Sequence, residues 1–223
     1  MLIFQAMLGL VALLAVMGAA LFGAAGTLDF WQARLYLGVF GGASLLVTLY
    51  LIRYDRKLLD RRIKAGAMAE PERAQKVIQA LANLFFIGLL VVPGLDRRYG
   101  WSTVPPWISL AAAALVALGF FVVFLVFREN SYTSAVVELA QDQKVISTGP
   151  YRLVRHPMYA GAGILIAATP PALGSWAGLP CAAGLILVVI LRLIEEEKFL
   201  SEKLDGYVAY REKVRYRLIP HVW

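Results

Sequence analysis

Long apolar runs constrain this chain more than any other feature. Residues 2–26, 35–52, 77–95 and 107–127 are almost free of charged side chains. Each is long enough, or nearly so, to cross about 30 Å of hydrocarbon as a helix rising about 1.5 Å per residue. A further stretch, 158–194, is too long for one helix, and Pro170-Pro171 with Gly174-Ser175 break it into a tight hairpin of two spans. Within lipid every backbone N–H and C=O must be satisfied by the chain itself, which at these lengths means helices. The expected fold is therefore an all-α integral membrane protein with about six transmembrane helices. Composition agrees: 60% of residues are hydrophobic and 17% charged, against roughly 45–50% and 25% in soluble domains. The first run is longer than the apolar core of a secretory leader and lacks a basic stretch before it, so it is expected to be a span.

Charge gives the layout a direction. The formal net charge is +7, but the basic residues flank apolar segments, which points to membrane lipids and excludes nucleic acid as the partner. A six-span layout puts the N-terminus, the loop 53–76, the segment 128–157 and the tail 195–223 on one side. All of the 22 Lys and Arg residues fall there except Arg34, Arg97 and Arg98, and Arg192, which lies three residues before the tail. That side is expected to be cytoplasmic, with both termini on it. Two regions follow: 1–127, four spans with the basic loop 53–76, and 128–223, a helical hairpin with a polar approach and tail.

Smaller features carry their own expectations. Leu58, Leu59 and Ile63 suggest a short interfacial helix. Trp31 and Tyr36 suit an interfacial position, and Gly38, Gly41 and Gly42 suit close helix approach. Asp96-Arg97-Arg98 and the stretch from Trp101 to Trp107 read as a turn at the headgroups. Cys181, the single cysteine, excludes an intramolecular disulfide and reads as a small buried or lipid-facing residue. His156 and His221 stand without a Cys/His cluster, so no metal site is expected.

Polar chemistry gathers just before the hairpin, in residues 149–163, from Gly149-Pro150-Tyr151 to Arg155-His156-Pro157-Met158-Tyr159-Ala160-Gly161-Ala162-Gly163. Pro157 suits the first position of a helix, where its missing N–H has no intrahelical role. His156 then sits at the N-cap and Tyr159 on the first turn. A helix start exposes unpaired N–H groups and attracts anions, so this is a cationic, aromatic-lined helix mouth at a membrane edge. Gly161 and Gly163 serve either helix packing or close approach of a ligand to backbone. After the hairpin comes Arg192 with Glu195, Glu196 and Glu197, acidic residues against the basic trend of that side. Arg192 and Glu196 are four apart and can pair. A carboxylate there would suit an ammonium group or a ribose hydroxyl pair, and an arginine would suit a carboxylate. The tail then offers Tyr207-x-x-Tyr210 and Val214-Arg215-Tyr216-Arg217, either an interfacial segment or a flap beneath the helix mouth.

Taken together, Gly149-Pro150-Tyr151, Arg155-His156-Pro157-x-Tyr159-x-Gly161, Arg192-x-x-x-Glu196-Glu197-x-x-Leu200 and Tyr207-x-x-Tyr210 resemble the isoprenylcysteine carboxyl methyltransferase family, and the related phospholipid methyltransferases share much of the pattern. The resemblance covers about residues 145–223. It implies a cytosolic-edge site for S-adenosylmethionine, with Tyr151, Arg155, His156, Pro157, Tyr159, Gly161, Gly163, Glu196 and Glu197 around the cofactor. It implies that Arg192 and Glu197 face the methyl acceptor, a lipophilic small molecule or lipid. Glu195 makes the register of the acidic pair ambiguous by one, and the spacing from Arg192 and to Leu200 favours Glu196 and Glu197. Membrane sterol reductases resemble the same half and use a nicotinamide dinucleotide. A non-catalytic membrane scaffold is the third reading.

Overall fold

The structure is a computed structural model that describes residues 1–64, 73–133 and 143–223. Among these residues it is all-helical: α1 (Leu2–Ala25), α2 (Trp31–Tyr54), α3 (Arg56–Lys64), α4 (Arg73–Tyr99), α5 (Pro106–Glu129), α6 (Pro157–Ala172), α7 (Leu179–Lys203) and α8 (Tyr207–Lys213), with a 3-10 turn at Gly149–Arg152. Parts of the loop 53–76 and of the segment 128–157 lie outside the described residues.

Local sequence accounts for the helix ends. α1 stops where Gly26 turns left-handed at φ 66°, its N–H donating to the Phe22 carbonyl at 2.9 Å, a conformation glycine adopts freely. α5 and α6 each open on a proline. α7 continues to Lys203, so Glu195, Glu196 and Glu197 lie within a helix, not at the start of a tail as expected. α4 likewise runs on to Tyr99, which places Asp96, Arg97 and Arg98 in its last turn and leaves only residues 100–105 as the connection.

The helices are arranged between two polar ends. At one, the buried Asp96 carboxylate accepts from the Ser102 N–H at 2.7 Å and from the Ser102 and Ser175 hydroxyls, tying the α4–α5 turn to the α6–α7 turn. Asp29, Arg34 and Arg97 pair loosely beside it. At the other end, Arg61 of α3 donates to the Ser131 carbonyl at 2.9 Å, and Tyr159 of α6 donates to Glu196 of α7. Arg34 and Arg97 thus lie at one end, and Arg61 at the other.

Among the described residues four helices are long and apolar enough to cross a membrane: Leu2–Ala25, Trp31–Tyr54, Val77–Tyr99 and Pro106–Glu129. The hairpin of α6 and α7 also runs from one end to the other and back, but differently. α6 has 16 residues, about 24 Å of helix, short of a full crossing. α7 carries its charged residues in its last three turns. Large apolar side chains such as Phe4, Val11, Leu46, Leu84, Leu110 and Leu187 face outward, as a lipid-bathed surface requires.

Lipid removes the hydrophobic drive for helix association, so close contact of small residues takes its place. A Cβ on Gly161 of α6 would meet the Gly119 carbonyl oxygen of α5 at 3.0 Å. One on Gly119 would meet Leu165 at 2.7 Å and the Gly161 carbonyl oxygen at 2.9 Å. Gly94 lets α4 approach α1 in the same way, its Cβ position lying 2.8 Å from the Leu21 carbonyl oxygen. Of the three glycines singled out in α2, only Gly41 meets a partner, Leu14 of α1; Gly38 and Gly42 face open space. Tyr36 is not interfacial but buried, with its hydroxyl 3.1 Å from that of Thr169.

Candidate active site

The polar end holds a cavity of about 250 Å³ enclosed by α3, the segments before and after the 3-10 turn, the start of α6, the last turns of α7, and α8. Two glycines turn the backbone beside it. Gly149 sits at φ 55°, a backbone conformation that L side chains rarely adopt, and a Cβ there would lie 2.8 Å from a Glu129 carboxylate oxygen at the end of α5. Thr148 donates to that same carboxylate. Gly206, at φ 82°, redirects the chain from α7 into α8.

α8 lines the cavity through Tyr207 and Tyr210, and the residues after it pair with the chain just before α6. The Arg155 N–H donates to the Tyr216 carbonyl at 2.8 Å and the His156 N–H to the Arg217 carbonyl at 3.0 Å. The Arg155 guanidinium donates to Glu197 at 2.6 Å and to the carbonyls of Val214 and Arg215 at 2.9 and 2.8 Å. Arg217 reaches the second oxygen of Glu197, also at 2.6 Å. Glu197 is thus clamped by two guanidinium groups, and its side chain is only 5% exposed. Tyr210 donates to the Tyr151 carbonyl at 2.8 Å, and Asn130 donates to the Tyr151 hydroxyl at 2.9 Å.

His156 stands at the N-cap of α6 as the sequence suggests, but its ring makes no capping bond. It lies 3.4 Å from the Tyr207 hydroxyl and 4.0 Å from Glu197. Burial pushes its pKa down to about 4, more than the Glu197 charge restores, so at neutral pH the imidazole is uncharged.

The residues singled out in the sequence divide into two groups. Tyr151, Arg155, His156, Pro157, Tyr159, Arg192 and Glu196 all line the cavity. Gly161, Gly163 and Glu197 do not. Gly161 is occupied by the α5–α6 contact, Gly163 faces open space away from the cavity, and Glu197 is turned into its two arginines. In this structure Glu197 clamps the tail and Gly161 serves helix packing, while Gly163 has no neighbour at its Cβ position. Glu196 is the glutamate of the pair that reaches the cavity, held by Tyr159 and close to Arg192, which itself donates to Gln79 of α4 at 3.2 Å.

Sequence reasoning missed Arg62. The periodic Leu58, Leu59 and Ile63 suggest a short interfacial helix, and α3 is a short helix. Leu58 and Leu59 are buried, at 0% and 5% exposure, but Ile63 is exposed, and Arg62 turns inward to line the cavity. Spacing held the signal: Arg62 lies four residues after Leu58 and three after Leu59, on their face of the helix. Asn130, Tyr132, Thr133 and Lys144 also line the cavity and had no motif to announce them.

Beside the apolar helices of an integral membrane protein, a polar, tyrosine-rich cavity thus lies where helix ends meet. Residues 107–205, a little under half the chain, match the family model for phospholipid methyltransferase, a family of integral membrane methyltransferases related to the isoprenylcysteine carboxyl methyltransferases. The matched segment holds α5, the helix mouth, the hairpin and the acidic end of α7, and it supports a membrane methyltransferase. No curated protein matches the chain.

Proposed function

We propose that this protein transfers a methyl group from S-adenosylmethionine to a lipophilic small molecule or lipid, at a site on the cytosolic edge of the membrane. The observation that most supports this reading is the Tyr159–Glu196 hydrogen bond. It joins the mouth of α6 to the end of α7 within the matched segment, at the wall of the cavity.

The residues present suit the donor. A sulfonium is a cation, favoured beside a carboxylate and over aromatic faces, and Glu196 with Tyr151, Tyr159, Tyr207 and Tyr210 supplies both kinds of surface. S-adenosylmethionine supplies an already activated methyl group, displaced in line from sulfur by the acceptor's lone pair. Little remains for the protein but positioning and exclusion of bulk water. Glu196 and Tyr159 hold the charged centre, uncharged His156 and Pro157 shape the floor, and Arg192 orients the acceptor. The distribution of Lys and Arg supports a cytosolic site with both termini on that side.

Calorimetry on detergent-solubilised protein tests the reading. S-adenosylmethionine and S-adenosylhomocysteine are expected to bind, and Glu196→Ala to weaken binding at least tenfold. Thermal stabilisation by NADPH in place of either ligand would move the protein to the reductase class.

A further inference from the structure

Arg62 poses a problem that the proposed donor does not resolve. Its Nη1 nitrogen is buried and has no hydrogen-bond partner among the described residues. A buried unpaired guanidinium nitrogen is unfavourable, and this one shares its cavity with Arg192 and Lys144. Among the described residues the only carboxylate on the cavity wall, Glu196, is already bonded to Tyr159. The Arg62 guanidinium also lies 4.8 Å from the Phe127 ring centroid, a contact that steadies the charge without neutralising it. Burial lowers its pKa. The side chain is held by the fold, because Leu58 and Leu59 anchor α3 into a core shared with Ala6, Leu51, Val126 and Phe127.

We infer that Arg62 receives the anionic group, phosphate or carboxylate, of the methyl acceptor, and hence that the acceptor is an anionic-headed amphiphile. The inference rests on the methyl-transfer reading for the word acceptor, but the anion site stands on the geometry alone. Position favours the acceptor over the donor. α3 lies outside the matched segment 107–205, whereas Tyr159 and Glu196, suited to the donor, lie inside it. α3 is also a short amphipathic helix at the apolar boundary, where a lipid headgroup would arrive. A phosphate or carboxylate would take the two-pronged hydrogen bonding that a guanidinium offers.

The test uses twelve-carbon amphiphiles that differ only in the head: dodecyl phosphate, laurate and uncharged dodecanol. They are titrated in maltoside micelles against the wild type, Arg62→Gln and Arg62→Lys, with thermal stability and S-adenosylhomocysteine affinity measured for each. The expected result is stabilisation of the wild type by dodecyl phosphate or laurate but not by dodecanol. Affinity for that anion should fall at least tenfold in Arg62→Gln and less in Arg62→Lys, with S-adenosylhomocysteine affinity within twofold of wild type. Arg62→Gln is also expected to unfold at a higher temperature without ligand, since it removes an unpaired charge. Selective anion binding by a wild type that binds no S-adenosylhomocysteine would sink the methyl-transfer reading and keep the anion site. The inference is overturned if neither anion stabilises the wild type selectively, if Arg62→Gln binds the anion as well as wild type does, or if that variant loses S-adenosylhomocysteine instead.

Discussion

Arg155 and Glu197, 42 positions apart in sequence, meet at 2.6 Å in a buried ion pair, and Arg217 closes on the other carboxylate oxygen at the same distance. One carboxylate therefore holds the start of α6, the end of α7 and the tail together. Removing one partner of a buried pair typically costs about 3–5 kcal/mol, because the remaining charge is stranded. Glu197→Gln is expected to lower stability by about that amount and to expose residues 214–217 to protease. Limited proteolysis and thermal unfolding check this. Full stability with lost activity would instead make Glu197 a reacting group.

Tyr159 and Glu196 should behave in the opposite way. Glu196→Gln and Tyr159→Phe each remove a cavity-facing group without opening the tail. We expect S-adenosylmethionine, a cation, to lose affinity more than S-adenosylhomocysteine, which lacks the sulfonium charge. A ratio of about tenfold or more is expected in Glu196→Gln, corresponding to about 1.4 kcal/mol. Equal losses for the two ligands would deny Glu196 an electrostatic role.

His156 sets a pH dependence. Its folded-state pKa is about 4, against about 6.5 in an unfolded chain. Between those values the unfolded chain binds a proton that the folded one refuses, so stability rises with pH across that window and is flat above it. The effect of His156 alone is about 3 kcal/mol between pH 6.5 and pH 4. Thermal unfolding from pH 5 to 7 should slope in the wild type and flatten in His156→Phe. Equal slopes would show that the ring titrates normally.

Gly119 and Gly161 predict a packing defect without a chemical one. Gly119→Ala forces a methyl to within 2.7 Å of Leu165 and 2.9 Å of a backbone oxygen, an overpacking expected to cost about 1–3 kcal/mol. Gly163→Ala, facing open space, is expected to be neutral. Paired unfolding curves in the same detergent decide it. If Gly163→Ala weakens S-adenosylhomocysteine while stability holds, that glycine touches the ligand after all.

The fold class was legible because lipid imposes one rule on every span, and runs such as 2–26 and 107–127 satisfy it without tertiary information. The helix mouth was legible for a local reason, since Pro157 after His156 marks a start wherever it occurs. What escaped was whatever depends on which way a side chain turns. Glu196 and Glu197 differ by about 100° around α7, and only the arrangement of Arg155 and Arg217 determines which one sees the cavity. Tyr36 read as interfacial because its partner, Thr169, lies 133 positions away. Arg62 was passed over because an arginine in a basic loop looks like part of the charge run around it.

The bonds from Arg155 and His156 to the Tyr216 and Arg217 carbonyls also bear on how the protein is made. Every apolar helix is synthesised before residues 214–217 leave the ribosome. The segment that backs the helix mouth is thus added to apolar helices that are already made. A chain without residues 214–217 would keep every apolar helix yet lose the backbone bonds that steady Arg155 and His156 at the helix mouth.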